Sequence, residues 1–261
     1  MSGDGPGLKC QGSPAVRNRI MDYQDRRIAE IYDIANPLAE DSRFYFALAG
    51  GQPCSVLDLG CGTGTLCCGL DERGHRVTGV DPAAAMLDVA RGKPQADHIE
   101  WVEATAQNYR SERRFDLIVM TGHAFQCLLN DADILAGFET MRLHLRDQGR
   151  IAFETRNPRV DWAGEWAGKQ RLIRMPSGEE VLETLAISGA GAESICFQTS
   201  YRFPHTTLRT SSTLRFPSRG HVEALAGRAG LGVREVFGDW ESSPFDQPSS
   251  REMIFVAERA G

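Results

Sequence analysis

The sequence predicts an α/β fold built on a doubly wound, seven-stranded, mostly parallel sheet, with a small antiparallel β insertion after strand five. Three observations predict it. Between residues 55 and 154, short apolar runs alternate with amphipathic stretches, the pattern of buried parallel strands separated by covering helices. Residues 158–217 then lose helical periodicity and carry β-leaning runs divided by turns. Residues 218–261 return to one helical stretch and two strand-like runs.

Residues 1–16 are rich in Gly, Pro and Ser with no apolar run, and read as a disordered tail without a signal sequence. From Arg17 to Leu48 apolar positions such as Ile20, Tyr23, Ile28, Ile31 and Tyr32 suit a helix, interrupted by Pro37. Ser55–Leu59 is a short apolar strand ending in glycines. Thr65–Glu72 suits a helix, with Gly74 just beyond its end. Arg76–Val80 is the second strand. Pro82–Arg91 is the next helix, with Asp81 as cap and Pro82 at its first position. Ile99–Glu103 and Phe115–Met120 are strands three and four. A helix capped by Asp131 or Asp133 carries Ile134, Leu135, Phe138, Met141 and Leu145, and Arg150–Glu154 is strand five. In the insertion, Arg171–Arg174, Val181–Ile187, Ser194–Phe203 and Thr206–Phe216 lean to strand, and Pro176-Ser177-Gly178 predicts a hairpin turn. Ser218–Ala229, closed by Gly230, predicts the last helix. Val233–Phe237 and Met253–Glu258, joined by a short link, predict an antiparallel pair. The chain thus divides into a tail (1–16), an N-terminal helix with a binding domain (17–157), an insertion (158–217) and a closing segment (218–261).

At 261 residues and 41% hydrophobic content the chain buries a core without staples. A net charge of −6 supplies no basic footprint, which disfavours nucleic acid as partner. The seven cysteines are odd in number and show no CxxC or Cys/His spacing for zinc, so no metal is expected. No apolar run approaches the roughly 20 residues that span a bilayer. These features suit a cytoplasmic monomer or homodimer.

The segment most telling for chemistry is Val56-Leu57-Asp58-Leu59-Gly60-Cys61-Gly62-Thr63-Gly64. A strand feeds a glycine-rich turn that opens a helix, so backbone can approach a ligand closely. The third glycine falls one residue early for the dinucleotide fingerprint. Asp58, two residues before Gly60, would repel a pyrophosphate and welcome an ammonium group. At 4 Å and an effective dielectric near 20 the sign of that interaction is worth about 4 kcal/mol. Asp81 ends the second strand, where a ribose-binding acid is expected, and its carboxylate can accept from both hydroxyls. The pair suits a nucleoside that lacks phosphate and carries a positive end.

On these residues the sequence resembles the class I S-adenosylmethionine-dependent methyltransferases, over roughly 55–156 with a fainter likeness to the C-terminus. VLDLGCGTG is similar to the family's first motif, HRVTGVDPAAAML to its second and FDLIVMTG to its strand-four motif. The resemblance implies a Rossmann-like fold, S-adenosylmethionine as cofactor, and methyl transfer to an N, O or C atom of a small molecule. It implies that Gly60, Gly62 and Gly64 line the methionine portion, that Asp81 takes the ribose, that Asp58 reaches the amino group, and that Met86 packs near the adenine. Pro82, Met120 and Gly122 lie in the matched motifs and join the cofactor set. Where the family often has an acid after strand three, this chain has Thr105, whose hydroxyl can accept, followed by the backbone N–H of Ala106.

Ligands in such sheets bind outside the carboxyl ends of the strands, at the topological switch point. That places Thr121–Gln126 against the sulfonium end. His123 is the candidate general base, with a structural role as the other reading. Glu154 or Arg156 holds a charged acceptor, with an internal ion pair or a surface role as the other readings. Gln126 orients an acceptor or bridges to the N-terminal helix. Tyr23 and Tyr32 close over the cofactor or pack in the core, and His144 and His221 read as solvated. The insertion is expected to cover the acceptor. Two other functions stay open. An NAD-dependent oxidoreductase would show a phosphate-compatible loop and a Tyr-x-x-x-Lys pair, which the sequence lacks. A non-catalytic S-adenosylmethionine-binding module would bind without turnover.

Overall fold

The computed structural model describes residues 23–261, so the predicted tail and Ile20 lie outside the described residues. The first predicted helix is two: α1 (Arg26–Ala35) and α2 (Glu40–Ala49). Pro37 separates them because it lacks an N–H and bars its predecessor from helical geometry. Asp25 caps α1 by accepting from the Arg27 N–H. Then follow β1 (Ser55–Leu59), α3 (Thr65–Asp71), β2 (Arg76–Asp81), α4 (Ala84–Arg91), β3 (Glu100–Glu103), β4 (Phe115–Met120), α5 (Asp131–His144) and β5 (Leu145–Arg156). Two expected caps are corrected. Asn130 caps α5, its side chain accepting from the Asp133 N–H at 2.9 Å. Pro82 does not open α4: the chain stays extended through Ala83, whose N–H donates to the Asp81 carboxylate at 2.8 Å.

With β10 (Leu231–Phe237) and β11 (Glu252–Arg259), the main sheet of the described residues has seven strands in the order β10-β11-β5-β4-β1-β2-β3. β3, β2, β1, β4 and β5 pair in parallel. β11 lies antiparallel between β5 and β10. The order reverses between β1 and β4, where Val56 faces Leu117, and this switch point opens a crevice at the strands' carboxyl ends. The link 238–251 is pinned by the buried Asn157 side chain, which donates to the Gln247 and Ser250 carbonyls. α7 (Arg219–Arg228) is capped by Ser218 and followed by Gly230 at φ 77°.

Apolar clusters cover both faces of the sheet. Beneath the β4–α5 loop an aromatic column runs through Phe138, Phe125, Phe153 and Phe255. Phe153 stacks on Phe125 at 4.5 Å and on Phe255 at 5.0 Å. Such pairs add about 0.5–1.5 kcal/mol each beyond burial and make a rigid floor for the loop above. His144 is not solvated as expected. It is buried at the end of α5, where its Nε2 accepts from the Ser111 N–H and its Nδ1 meets the Thr140 carbonyl. His221 is half-exposed and pairs with Asp131.

Residues 158–217 contain a short helix that the sequence did not announce, α6 (Trp162–Trp166), and an antiparallel sheet of β6 (Gln170–Arg174), β7 (Glu180–Ala190), β8 (Ser194–Arg202) and β9 (Thr207–Arg215). The turn at Pro176-Ser177-Gly178 joins β6 to β7, with Gly178 at φ 85°, where only glycine is unstrained. One end of this sheet packs on α1 through Ile31, Ile173 and Val181. The other packs on α6 through Trp162, Ile195 and Phe216.

Candidate active site at the switch point

The turn after β1 is shaped by its glycines. Gly60 and Gly64 take φ 81° and 71°. A Cβ on Gly60 would lie 2.8 Å from that of Ala124, and one on Gly64 would lie 2.2 Å from the Trp101 ring. The loops after β1 and β4 therefore meet at Gly60, and the Trp101 indole supports the turn from below.

Asp58 and Asp81 both face this turn from buried positions. One oxygen of Asp81 accepts from the Gly62 N–H at 2.9 Å and the other from Ala83. Burial raises its pKa against those two bonds. Each oxygen keeps a second lone pair for a ribose hydroxyl. Asp58 is 1% exposed. Its Oδ2 accepts from the Cys67 thiol, while its Oδ1 has no hydrogen-bond partner among the described residues. Burial, with the Asp81 and Glu154 charges, pushes its pKa up to about 7. A buried carboxylate oxygen without a donor is costly, and an ammonium group would supply the donors. The two carboxylates thus fit the ribose and the amino end of S-adenosylmethionine.

The helix α1 lies over the turn. Asp33 accepts from the Thr63 and Thr65 hydroxyls and pairs with Lys93 at 2.8 Å. An aspartate thus takes the Thr63 and Thr65 hydroxyls at the start of α3 and the Lys93 ammonium just past α4, groups that a pyrophosphate would seek. Tyr32 reaches between the two loops: its ring is 3.9 Å from a Cβ built on Gly62, and its hydroxyl is 3.7 Å from one built on Gly122. Burial and then the Asp81 charge push its pKa up to about 12. Tyr23 stacks edge-on against it at 5.9 Å. Met86 is buried beside Ala29 and Tyr32. The Pro82 carbonyl accepts from Gln24. The Thr105 N–H donates to the Asn108 side chain, and Ala106 is buried. Met120 faces the apolar core beneath the site.

The β4 loop carries Gly122 at φ 63° and His123 at φ 59°. For a residue other than glycine this left-handed backbone is strained, and the structure holds it. The His123 N–H donates to Glu154 Oε1 at 2.7 Å, and the other Glu154 oxygen accepts from the Tyr45 hydroxyl of α2. Glu154 is 1% exposed, and burial raises its pKa against the His123 charge and the Tyr45 bond. The His123 ring places Nε2 2.9 Å from Glu252 Oε2. Glu154 therefore braces the loop through the Tyr45 hydroxyl and the His123 N–H, and not through an ion pair among the described residues. Arg156 donates to Gln126 Oε1 at 2.8 Å and lies 5.0 Å from the Trp166 ring. Gln126 bridges to the Arg215 carbonyl of β9, so the expected bridge runs to the insertion and not to the N-terminal helix. Sequence reasoning missed Asp33, Tyr45, Lys93 and Glu252, whose contacts span 30 residues or more and leave no local pattern.

Residues 56–149 match the family model of the methyltransferase domain. The chain is 26% identical over 241 residues to the cypemycin N-terminal methyltransferase of a Streptomyces species, covering 90% of this chain and 97% of that one. The CcbJ methyltransferase of Streptomyces caelestis superposes with a TM-score of 0.75 at 23% identity, covering 92% of this chain and 98% of that one. The sugar N-methyltransferase KedS8 of a Streptoalloteichus species gives 0.65 at 19%, covering 100% and 96%. No described helix is long and apolar enough to cross a membrane. The matched motifs, the switch-point crevice and its two carboxylates lead to one conclusion: residues 56–149 form a methyltransferase domain, on a chain similar over its length to S-adenosylmethionine-dependent methyltransferases.

Proposed function

We propose that this protein methylates an amine nitrogen of a small molecule, with His123 as the group that receives the acceptor's proton. The observation that carries the proposal is His123 itself. It sits at the end of β4 in a strained backbone held by a buried glutamate, with Nε2 engaged and no partner on Nδ1 among the described residues. The relatives support a nitrogen acceptor, since they include the cypemycin N-terminal methyltransferase and a sugar N-methyltransferase.

Asp81 would hold the ribose, Asp58 the amino group, Gly60, Gly62 and Gly64 the methionine chain, and Thr105 with the Ala106 N–H the adenine. S-adenosylmethionine supplies, when bound, a methyl group already activated by its sulfonium. The protein's part is then positioning, which can supply up to roughly 7–11 kcal/mol, and removal of one proton from the acceptor nitrogen. Arg156, framed by Trp162 and Trp166, and the β sheet of residues 158–217 wall the acceptor side.

A labelled-methyl transfer screen over amines, phenols and carboxylates tests this. Turnover on amines is expected, with His123→Ala lowering kcat by about 10²–10⁴ where chemistry limits the rate. Turnover confined to phenols or carboxylates would refute it.

A further inference from the structure

We propose that Glu252 is the positioning residue for His123: it fixes the ring so that Nδ1 is the nitrogen presented to the acceptor. This rests on the reading of His123 as proton acceptor. The Nε2–Oε2 contact is 2.9 Å, and the two side chains are 19% and 15% exposed, so water competes weakly for it. A carboxylate accepts only from a protonated nitrogen, which assigns the hydrogen to Nε2 and leaves a lone pair on Nδ1.

The placement of Glu252 is built from outside the loop. β11 begins opposite the end of β5, with Glu252 paired to Arg156 and the Asn157 N–H donating to the Arg251 carbonyl at 2.8 Å. The Asn157 side chain fixes the preceding link at Gln247 and Ser250. His123 is thus gripped at two points by different strands: its backbone by Glu154 of β5 and its ring by Glu252 of β11. Glu154 fixes where the residue sits, and Glu252 fixes which way the imidazole turns. In the reaction one proton would leave the acceptor nitrogen for Nδ1, the electron pair so freed on nitrogen would bond to the methyl carbon, and the carbon–sulfur bond would break with its pair staying on the sulfur, which leaves as a neutral thioether. The Nε2 hydrogen stays in place. The ring becomes a cation beside the Glu252 carboxylate, which itself takes no proton.

The experiment is a double-mutant cycle of Glu252→Gln with His123→Asn, with nitrogen-detected NMR of the histidine rings in the full-length protein. Glu252→Gln should lower kcat by about 10²-fold, because a rotated amide can donate to Nε2 and force the other tautomer, and should leave the cofactor Kd within about threefold. In the His123→Asn background the same change should have no further effect. In the wild-type spectrum the His123 hydrogen should be on Nε2, and in Glu252→Ala the two tautomers should mix. Losses that multiply in the double variant, or a wild-type His123 with its hydrogen on Nδ1, would overturn the proposal. Full activity in His123→Asn would instead remove the base reading on which it rests. The wild-type spectrum decides the tautomer even if a Glu252 variant fails to fold.

Discussion

Replacing Asp58 by Asn should make the ligand-free protein more stable and its cofactor complex weaker. The carboxyl is buried, one oxygen lacks a donor, and its pKa rises from 3.8 to about 7. The folded chain therefore holds this proton more tightly than the unfolded chain does. Stability is highest below pH 4 for this group and is lost as pH climbs through about 7. A shift of this size corresponds to about 4 kcal/mol of penalty above pH 7, at 1.36 kcal/mol per unit. Asparagine removes the ionisation, but its amide brings hydrogen-bonding groups that cost about 1–3 kcal/mol if unmet. The net expectation at pH 8 is a gain of roughly 1–3 kcal/mol, read as a higher melting temperature without ligand. At pH 5, only about one unit above the unfolded value, the penalty falls to roughly 1–2 kcal/mol, which the cost of the amide offsets, so the advantage should vanish. Affinity should move the other way. Losing one charge beside an ammonium at about 4 Å is worth up to about 4 kcal/mol, or 10²–10³ in Kd. Differential scanning fluorimetry at both pH values and calorimetric titration with S-adenosylmethionine read the two effects. A variant that melts lower at pH 8 and binds as tightly as wild type would refute this reasoning.

Three further perturbations follow from single contacts. Gly64→Ala forces a side chain into a φ of 71° and against the Trp101 ring, so it should cost about 2–5 kcal/mol, partly recovered by Trp101→Leu in thermal melts. Asp33→Ala removes the hydrogen bonds and ion pair that hold α1 on the turn. Losing about 2 kcal/mol there should speed amide exchange across Arg26–Ala35 roughly 30-fold and leave β1 unchanged. Tyr45→Phe takes a donor from buried Glu154 and should lower stability by about 1–3 kcal/mol in denaturant titrations.

The strands were the most legible part of the sequence, because each is a short apolar run bounded by glycine or charge. Ser55–Leu59 and Phe115–Met120 stand at the expected residues. The insertion strands were legible from β-branched residues and the Gly178 turn. α6 was not, since five residues give too short a periodicity to detect. In the site, Asp58, Asp81 and the glycines could be read because turn chemistry and strand ends are local. The brace around His123 could not. Tyr45 looks like an ordinary helical aromatic, and Glu252 like a polar residue ahead of an apolar run. Their roles come from sheet order, which places β5 and β11 side by side although they lie far apart in the chain. His144 misled for the same reason: its partner Ser111 lies 33 residues away.

The most direct test of the account is a crystal structure with bound S-adenosylhomocysteine. The ribose hydroxyls should lie within hydrogen-bond distance of Asp81, and the amino group should reach the open oxygen of Asp58. A ligand seated elsewhere, or with its amino group turned away from Asp58, would contradict it.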